Sequence, residues 1–238
     1  MPFAPMKHER GSSLGACGKL RNNRRFERSS HIPPRAAAYD RESMSVERIQ
    51  QQFRDNAALT LEALDALAVP IAAAIDTLFG ALANGNKILV CGNGGSAADA
   101  QRFAAQLIGR FERERPGLPA IALTTDTSIL TAIGNDYAFE QIFSNQVRAL
   151  GQAGDVLLAI STSGNSVNVL AAIQEAHERE MIVIALSGKG GGAMSDVLAD
   201  TDIHICVPSD RTARIQEVHL LTIHCLCDGI DAMLLGDD

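Results

Sequence analysis

Lys87-Ile88-Leu89-Val90-Cys91-Gly92-Asn93-Gly94-Gly95-Ser96-Ala97-Ala98 is the stretch on which the fold turns. Residues 87–91 form a short apolar run, residues 92–95 a turn of glycine and asparagine, and helical sequence follows at once over 96–110. A nearly all-apolar strand that feeds straight into a helix is the repeating unit of a parallel sheet covered on both faces. Moving outward, the same rhythm returns. Apolar strands read at 119–123, 155–160, 181–186 and 202–207, and helical stretches at about 138–150, 167–179, 191–199 and 212–234. Upstream, Val46, Ile49, Phe53, Ala57, Leu61, Leu64 and Leu67 recur at steps of three or four, the mark of an amphipathic helix. A second helix after Pro70 runs to Ala83, where Asn84-Gly85-Asn86 stops it. The expected fold is α/β: a three-layer doubly wound sandwich around a five-stranded parallel sheet, with N-terminal helices in front.

Residues 1–43 read differently. They hold Pro2, Pro5, Pro33, Pro34, several serines and the basic run Arg21, Arg24, Arg25, Arg28, with no sustained apolar period. So little apolar surface does not offset the entropy of ordering, so a disordered basic extension is expected. A start of translation at Met44 and an Arg-rich targeting peptide are the alternatives; Glu9, Glu27, Asp40 and Glu42 weigh against the latter.

The net charge of −7 hides a split: residues 1–43 carry nine Lys and Arg against four Asp and Glu, leaving 12 basic and 24 acidic residues beyond them. A body with a net charge of −12 argues against direct nucleic-acid binding, which is dominated by phosphate contacts. No apolar run reaches the ~18 residues that span a bilayer, so no membrane segment is expected. The five cysteines, at 17, 91, 206, 225 and 227, form no CxxC pair and lie mostly in apolar runs, as reduced thiols of a cytoplasmic protein would.

In open parallel sheets ligands sit at the carboxyl ends of the strands. Two strand ends here carry chemistry. After the first strand, Gly92, Gly94 and Gly95 let backbone approach an anion, and a helix start supplies free N–H groups. After the third, Ser161-Thr162-Ser163-Gly164-Asn165-Ser166 offers four hydroxyls and no acid, as a phosphate monoester requires. The first loop is neither GxGxxG nor a Walker loop, which disfavours dinucleotides and nucleoside triphosphates.

Together the two loops resemble the SIS (sugar isomerase) family, in which the Ser-rich loop cradles the phosphate of a phosphosugar. The likeness spans about residues 46–235, and 44–238 is taken as one such domain. GNGGSAADAQ, LTTDTSILTAIGND, STSGNS and RIQEVH are similar to the sedoheptulose-7-phosphate (phosphoheptose) isomerases. Residues 207–217 (VPSDRTARIQE), 219–222 (HLLT) and 225–231 (CLCDGID), with 110–116 and 146–151, resemble the DnaA initiator-associating group, non-enzymatic SIS tetramers. The second resemblance leads the functional expectation: a cytoplasmic homotetramer that binds a phosphosugar and a DnaA-type initiator protein, regulating replication. The alternative is a phosphoheptose isomerase that uses zinc.

The isomerase resemblance implies substrate contacts at Asn93, Gly94, Gly95, Asn135, Asp136, Ser161, Thr162, Ser163, Ser166 and Gln216, with Ser96 in the same loop. It also implies a metal held by a His and a Glu four apart on the first βα helix, with a Gln and a His from the last. Gln216 and His224 match, but the other two positions are Arg102 and Gln106. Arginine has no lone pair to give a metal, and glutamine cannot serve as a base. No metal and no confident catalytic residue are therefore expected, although His224 and Gln106 occupy the group's catalytic positions. Two readings stay open for Arg102, a solvated helix face or a fixed cation in the old metal pocket, and two for His224, core packing or ligation.

Overall fold

The alternation closes into one sheet in the computed structural model, which describes residues 41–236. In chain order the elements are α1 (Arg41–Ala83), β1 (Ile88–Gly92), α2 (Gly95–Ile108), β2 (Ala120–Ala122), α3 (Thr127–Asp136), α4 (Ser144–Leu150), β3 (Val156–Ile160), α5 (Val167–Glu178), β4 (Ile182–Gly188), α6 (Met194–Val197), β5 (Ile203–Val207) and α7 (Thr212–Leu235). All pairings are parallel, in the order β2-β1-β3-β4-β5.

Strand residues alternate between two cores, as the pleat demands. Ile88, Val90, Val156, Leu158, Ile160, Ile184 and Leu186 pack with α1, α2 and α7 on one face. Leu89, Cys91, Leu157, Ala159, Val183 and Ala185 pack with α4 and α5 on the other. The three-layer α/β sandwich is thus as the sequence implies.

Several details differ. Residues 46–83 were expected as two helices parted at Pro70, yet α1 runs unbroken with Pro70 inside it. An interior proline costs about 3 kcal/mol through its missing N–H and its clash with the preceding turn. Here the carbonyl left without its donor belongs to exposed Ala66, where water can reach it, while Leu59, Ala63, Leu67, Ala74, Leu78 and Ala81 hold both halves on one core stripe. The expected helix over 138–150 is a 3-10 turn at Phe139–Gln141 followed by the shorter α4, and α3 was not anticipated at all. The expectation for residues 1–43 lies outside the described residues, save that α1 already begins at Arg41.

Against the expectation of no spanning segment, Ser45–Ala83 and Thr212–Leu235 are long and apolar enough to cross a bilayer by length and composition. Both lay a buried stripe on the same core instead. Cys91, Cys206, Cys225 and Cys227 are free thiols.

Candidate functional site

With the order 2-1-3-4-5, β1 and β3 are neighbours whose chains depart to opposite sides, which opens a crevice at their carboxyl ends. Both loops singled out in the sequence lie there. The closeness of the two strands is enforced at Gly92, where a β-carbon would stand 3.0 Å from the Ile160 carbonyl oxygen and 2.8 Å from Ser96 Cβ.

The loops are tied across the crevice. Asn93 Nδ2 donates to Asn168 Oδ1 at 2.8 Å and Asn168 Nδ2 donates back to Asn93 Oδ1 at 2.9 Å. This amide pair joins the first loop to α5, which the Ser-rich loop feeds. Ser161 Oγ and Ser166 Oγ face each other at 2.9 Å, with Ser166 as N-cap of α5. Neither hydroxyl has to be spent on the backbone of the loop.

A third glycine-rich segment braces the second loop. Gly164 has φ +65°, and a β-carbon there would collide with the Gly191 carbonyl oxygen. Met194 N–H donates to the Gly164 carbonyl at 2.9 Å, Ala193 N–H donates to Asn165 Oδ1 at 2.9 Å, and Asn165 Nδ2 donates to the Ser163 carbonyl at 2.9 Å. Residues 188–194 therefore hold the Ser loop in shape.

Helix α7 closes the third side. A β-carbon on Gly95 would overlap Gln216 Nε2, so only glycine lets that amide donor lie over the start of α2. Farther along, Cys227 Sγ lies 3.5 Å from Gln106 Oε1. Both contacts join residues 121 apart in sequence, so the two helices run parallel and in step. His224 is partly buried, its ring 5.6 Å from that of Phe111 and tilted by 38°.

The expected site residues are thus only partly gathered. Asn93, Gly94, Gly95, Ser161, Thr162, Ser163 and Ser166 lie on the two loops at the carboxyl ends of β1 and β3, and Gln216 on α7 reaches Gly95. Ser96, at the start of α2, is buried to the same degree as Ser161. Asn135 and Asp136 sit exposed at the end of α3, where Asn135 Nδ2 donates to Asp136 Oδ1 at 2.7 Å.

Zinc, implied by the isomerase resemblance, does not fit the donor set. Arg102, exposed on the face of α2, brings a positive charge and no lone pair. Gln106 Oε1 faces the Cys227 thiol, Gln216 Nε2 faces Gly95, and His224 lies against Phe111. Two neutral amides and one imidazole do not make a structural or catalytic zinc centre. Among the described residues no three His, Cys, Asp or Glu side chains gather to hold a metal.

One residue escaped the sequence reading. Asp99 is half-buried on α2, and desolvation raises its pKa against the opposing charge of Arg102. The signal was present: Gly95, Asp99, Arg102 and Gln106 recur at steps of four, three and four, which puts them on one helix stripe.

A family model for the SIS domain matches residues 52–188. Phosphoheptose isomerase of Dechloromonas aromatica is 68% identical over 191 residues, 80% of this chain and 97% of that protein. Among solved structures, phosphoheptose isomerase GmhA from Neisseria gonorrhoeae is 55% identical, covering 78% of this chain and 98% of its own, with a TM-score of 0.75. The phosphoheptose isomerase from Francisella tularensis is 50% identical, covering 79% and 98%, with a TM-score of 0.77.

These relatives overturn the initiator-associating expectation. The residues that carried it are largely structural: Arg214, Ile215, His219, Thr222, Cys227 and Asp231 are buried on α7, and Arg115 Nε donates to Asp231 Oδ1 at 2.5 Å inside the fold. Likeness there reports shared packing rather than a shared partner surface. The chain belongs to the SIS domain family, among relatives that carry the name phosphoheptose isomerase.

Proposed function

We propose that the chain binds a heptose 7-phosphate and interconverts its ketose and aldose forms, sedoheptulose 7-phosphate being the ketose. One observation carries the site assignment: two anion-accepting loops meet at the β1/β3 crevice, joined by the reciprocal Asn93–Asn168 amides and overhung by Gln216 Nε2. The phosphate would take the hydroxyls of Ser161, Thr162, Ser163 and Ser166 and the amides at the start of α5. Gly94, Gly95 and Gln216 would bind the sugar hydroxyls. The relatives named phosphoheptose isomerase support both the substrate class and the reaction.

The reading further holds the protein to be cytoplasmic, with its thiols reduced, and to work without resident zinc. It also holds it to be a homotetramer. Val46, Ile49, Phe53, Leu61, Leu64 and Val69 are all exposed along α1, a run of apolar surface that a lone chain leaves uncovered.

An assay with sedoheptulose 7-phosphate, with and without added zinc, tests the proposal. Turnover well above the uncatalysed rate is expected in both arms. A protein that binds the ketose but leaves it unchanged under both conditions would end the isomerase reading.

A further inference from the structure

We infer that Asp99 is the base that moves the proton during isomerisation and that Arg102 is the cation that steadies the enediolate, so that one stripe of α2 takes the place of a metal centre. This rests on the isomerase reading above. The stripe is Gly95, Asp99, Arg102 and Gln106, and it is fixed on α7 at both ends, by Gly95 against Gln216 and by Gln106 against Cys227. Asp99, half-buried, and Arg102, exposed to solvent in the single chain, fall between those two fixings. Since the helices run in step, they lie level with Leu220 and with Ile223 and His224 of α7. Asp99 is one turn along α2 from the loop that meets the ligand, and Arg102 is one turn farther.

Other acids close to this wall are committed. Glu217 takes hydrogen bonds from Arg214 and from Asn56. Asp231 takes one from Arg115. Asp136 is exposed at the end of α3. Asp99 is the carboxylate of the stripe, and its partial burial makes the neutral acid easier to form than for a solvated aspartate, with Arg102 restraining the shift. That balance suits a group that must accept a proton and return it.

The chemistry closes on these two side chains. In the open-chain ketose, the Asp99 carboxylate takes a proton from C1, and the C1–H electron pair becomes the C1=C2 bond. The C2 carbonyl electrons move to its oxygen, which becomes an enediolate held by the Arg102 guanidinium. The C1 hydroxyl gives its proton to the oxygen on C2, the C1 carbonyl forms, and the Asp99 acid returns its proton to C2. C1 is oxidised by two electrons and C2 reduced by two, so no outside oxidant or reductant enters.

The test compares wild type with Asp99→Asn, Arg102→Gln, Arg102→Lys and His224→Gln. Sedoheptulose 7-phosphate turnover is measured with and without a chelator, and its binding by calorimetry. Wild-type turnover is expected to be indifferent to the chelator. Asp99→Asn should lower kcat at least about 100-fold while the binding constant stays within about threefold. Arg102→Gln should lower kcat at least about tenfold, and Arg102→Lys should restore part of it. Deuterium incorporation at C1 from heavy water, which follows proton abstraction alone, should vanish in Asp99→Asn.

Turnover in Asp99→Asn within tenfold of wild type would overturn the inference and leave the isomerase reading standing. So would loss of turnover in chelator with recovery in zinc, or a dead His224→Gln beside a live Asp99→Asn. A wild type that binds but never isomerises would remove both.

Discussion

His219 sits one turn beyond Gln216 with no exposure to solvent, its Nε2 2.9 Å from the Ser187 carbonyl oxygen and its Nδ1 without a partner. Desolvation pushes its pKa down to about 4, against the hydrogen bond to Ser187, which favours the charged form. In the unfolded chain the imidazole returns to about 6.5. Between those values the unfolded state binds the extra proton, so stability rises with pH there. The contribution is complete above pH 6.5 and is lost as the pH falls toward 4, amounting to about 3 kcal/mol. His204, whose pKa burial also lowers, adds to the loss with the same sign. Urea unfolding at pH 7.5 and pH 5 should therefore show lower stability at pH 5, and His219→Gln should flatten the difference. An unchanged pH dependence in that variant would show that His219 does not set it. Little of this was legible in the sequence, where His219 reads as one more residue of an apolar helix. The hydroxyl loop was legible, because four hydroxyls at a strand end have few other uses. The Asn93–Asn168 pair was not, since it joins a loop to a helix residue 75 positions away.

At the scale of elements, α1 and α7 are clasped at their N-terminal halves by two arginines of unequal burial. Arg214 Nη1 donates to the Gln52 carbonyl at 2.6 Å and Nη2 to Glu217 Oε1 at 2.5 Å, while Asn56 Nδ2 donates to Glu217 Oε2 at 2.6 Å. Its side chain is 10% exposed. Arg211 pairs with Asp55 in the open, with 52% of its side chain exposed. Solvent screening leaves an exposed pair little weight, whereas removing the buried Arg214 side chain takes the donor from the Gln52 carbonyl, even though Glu217, 40% exposed, can turn to water. At fixed protomer concentration, Arg214→Ala should cost about 1–3 kcal/mol by chemical denaturation and Arg211→Ala under about 1 kcal/mol. Equal losses would mean the clasp is not graded by burial. The strands and α2, α5 and α7 were legible because apolar period and glycine boundaries coincide. At Pro70 the local rule gave way to a core stripe that continues past it. Helix α3 was missed because it is ten residues long and buries no residue fully, only Leu130 and Ile133 packing partly against the core, so its apolar period is short.

For the whole molecule, the question is what covers α1. Exposure along it reaches 74% at Phe53 and 79% at Val69, beside a groove of about 290 Å³ between α1 and α7 lined by Leu61, Leu64, Leu67, Ile71, Leu221 and Cys225. Of the apolar stripe read in the sequence only Leu67 turns inward, while Val46, Ile49, Phe53, Ala57, Leu61 and Leu64 turn out, and the core face is carried by Leu59, Ala63 and Leu67. At ~25 cal/mol per Å² of apolar surface, leaving such a helix face in water forgoes several kcal/mol per chain. A second copy offers the same face in return, the arrangement of an isologous interface, and two such pairings build a tetramer. Sedimentation equilibrium of the full chain should give four times its 25.3-kDa mass. Leu61→Asp combined with Leu64→Asp should shift the population to smaller species without unfolding it, because neither side chain is needed by the core. A wild-type monomer at micromolar concentration would refute the tetramer and leave α1 as a surface for some other partner. A tetramer untouched by both aspartates would move the interface off this groove, to the exposed apolar residues at the end of α7, Met233, Leu234 and Leu235.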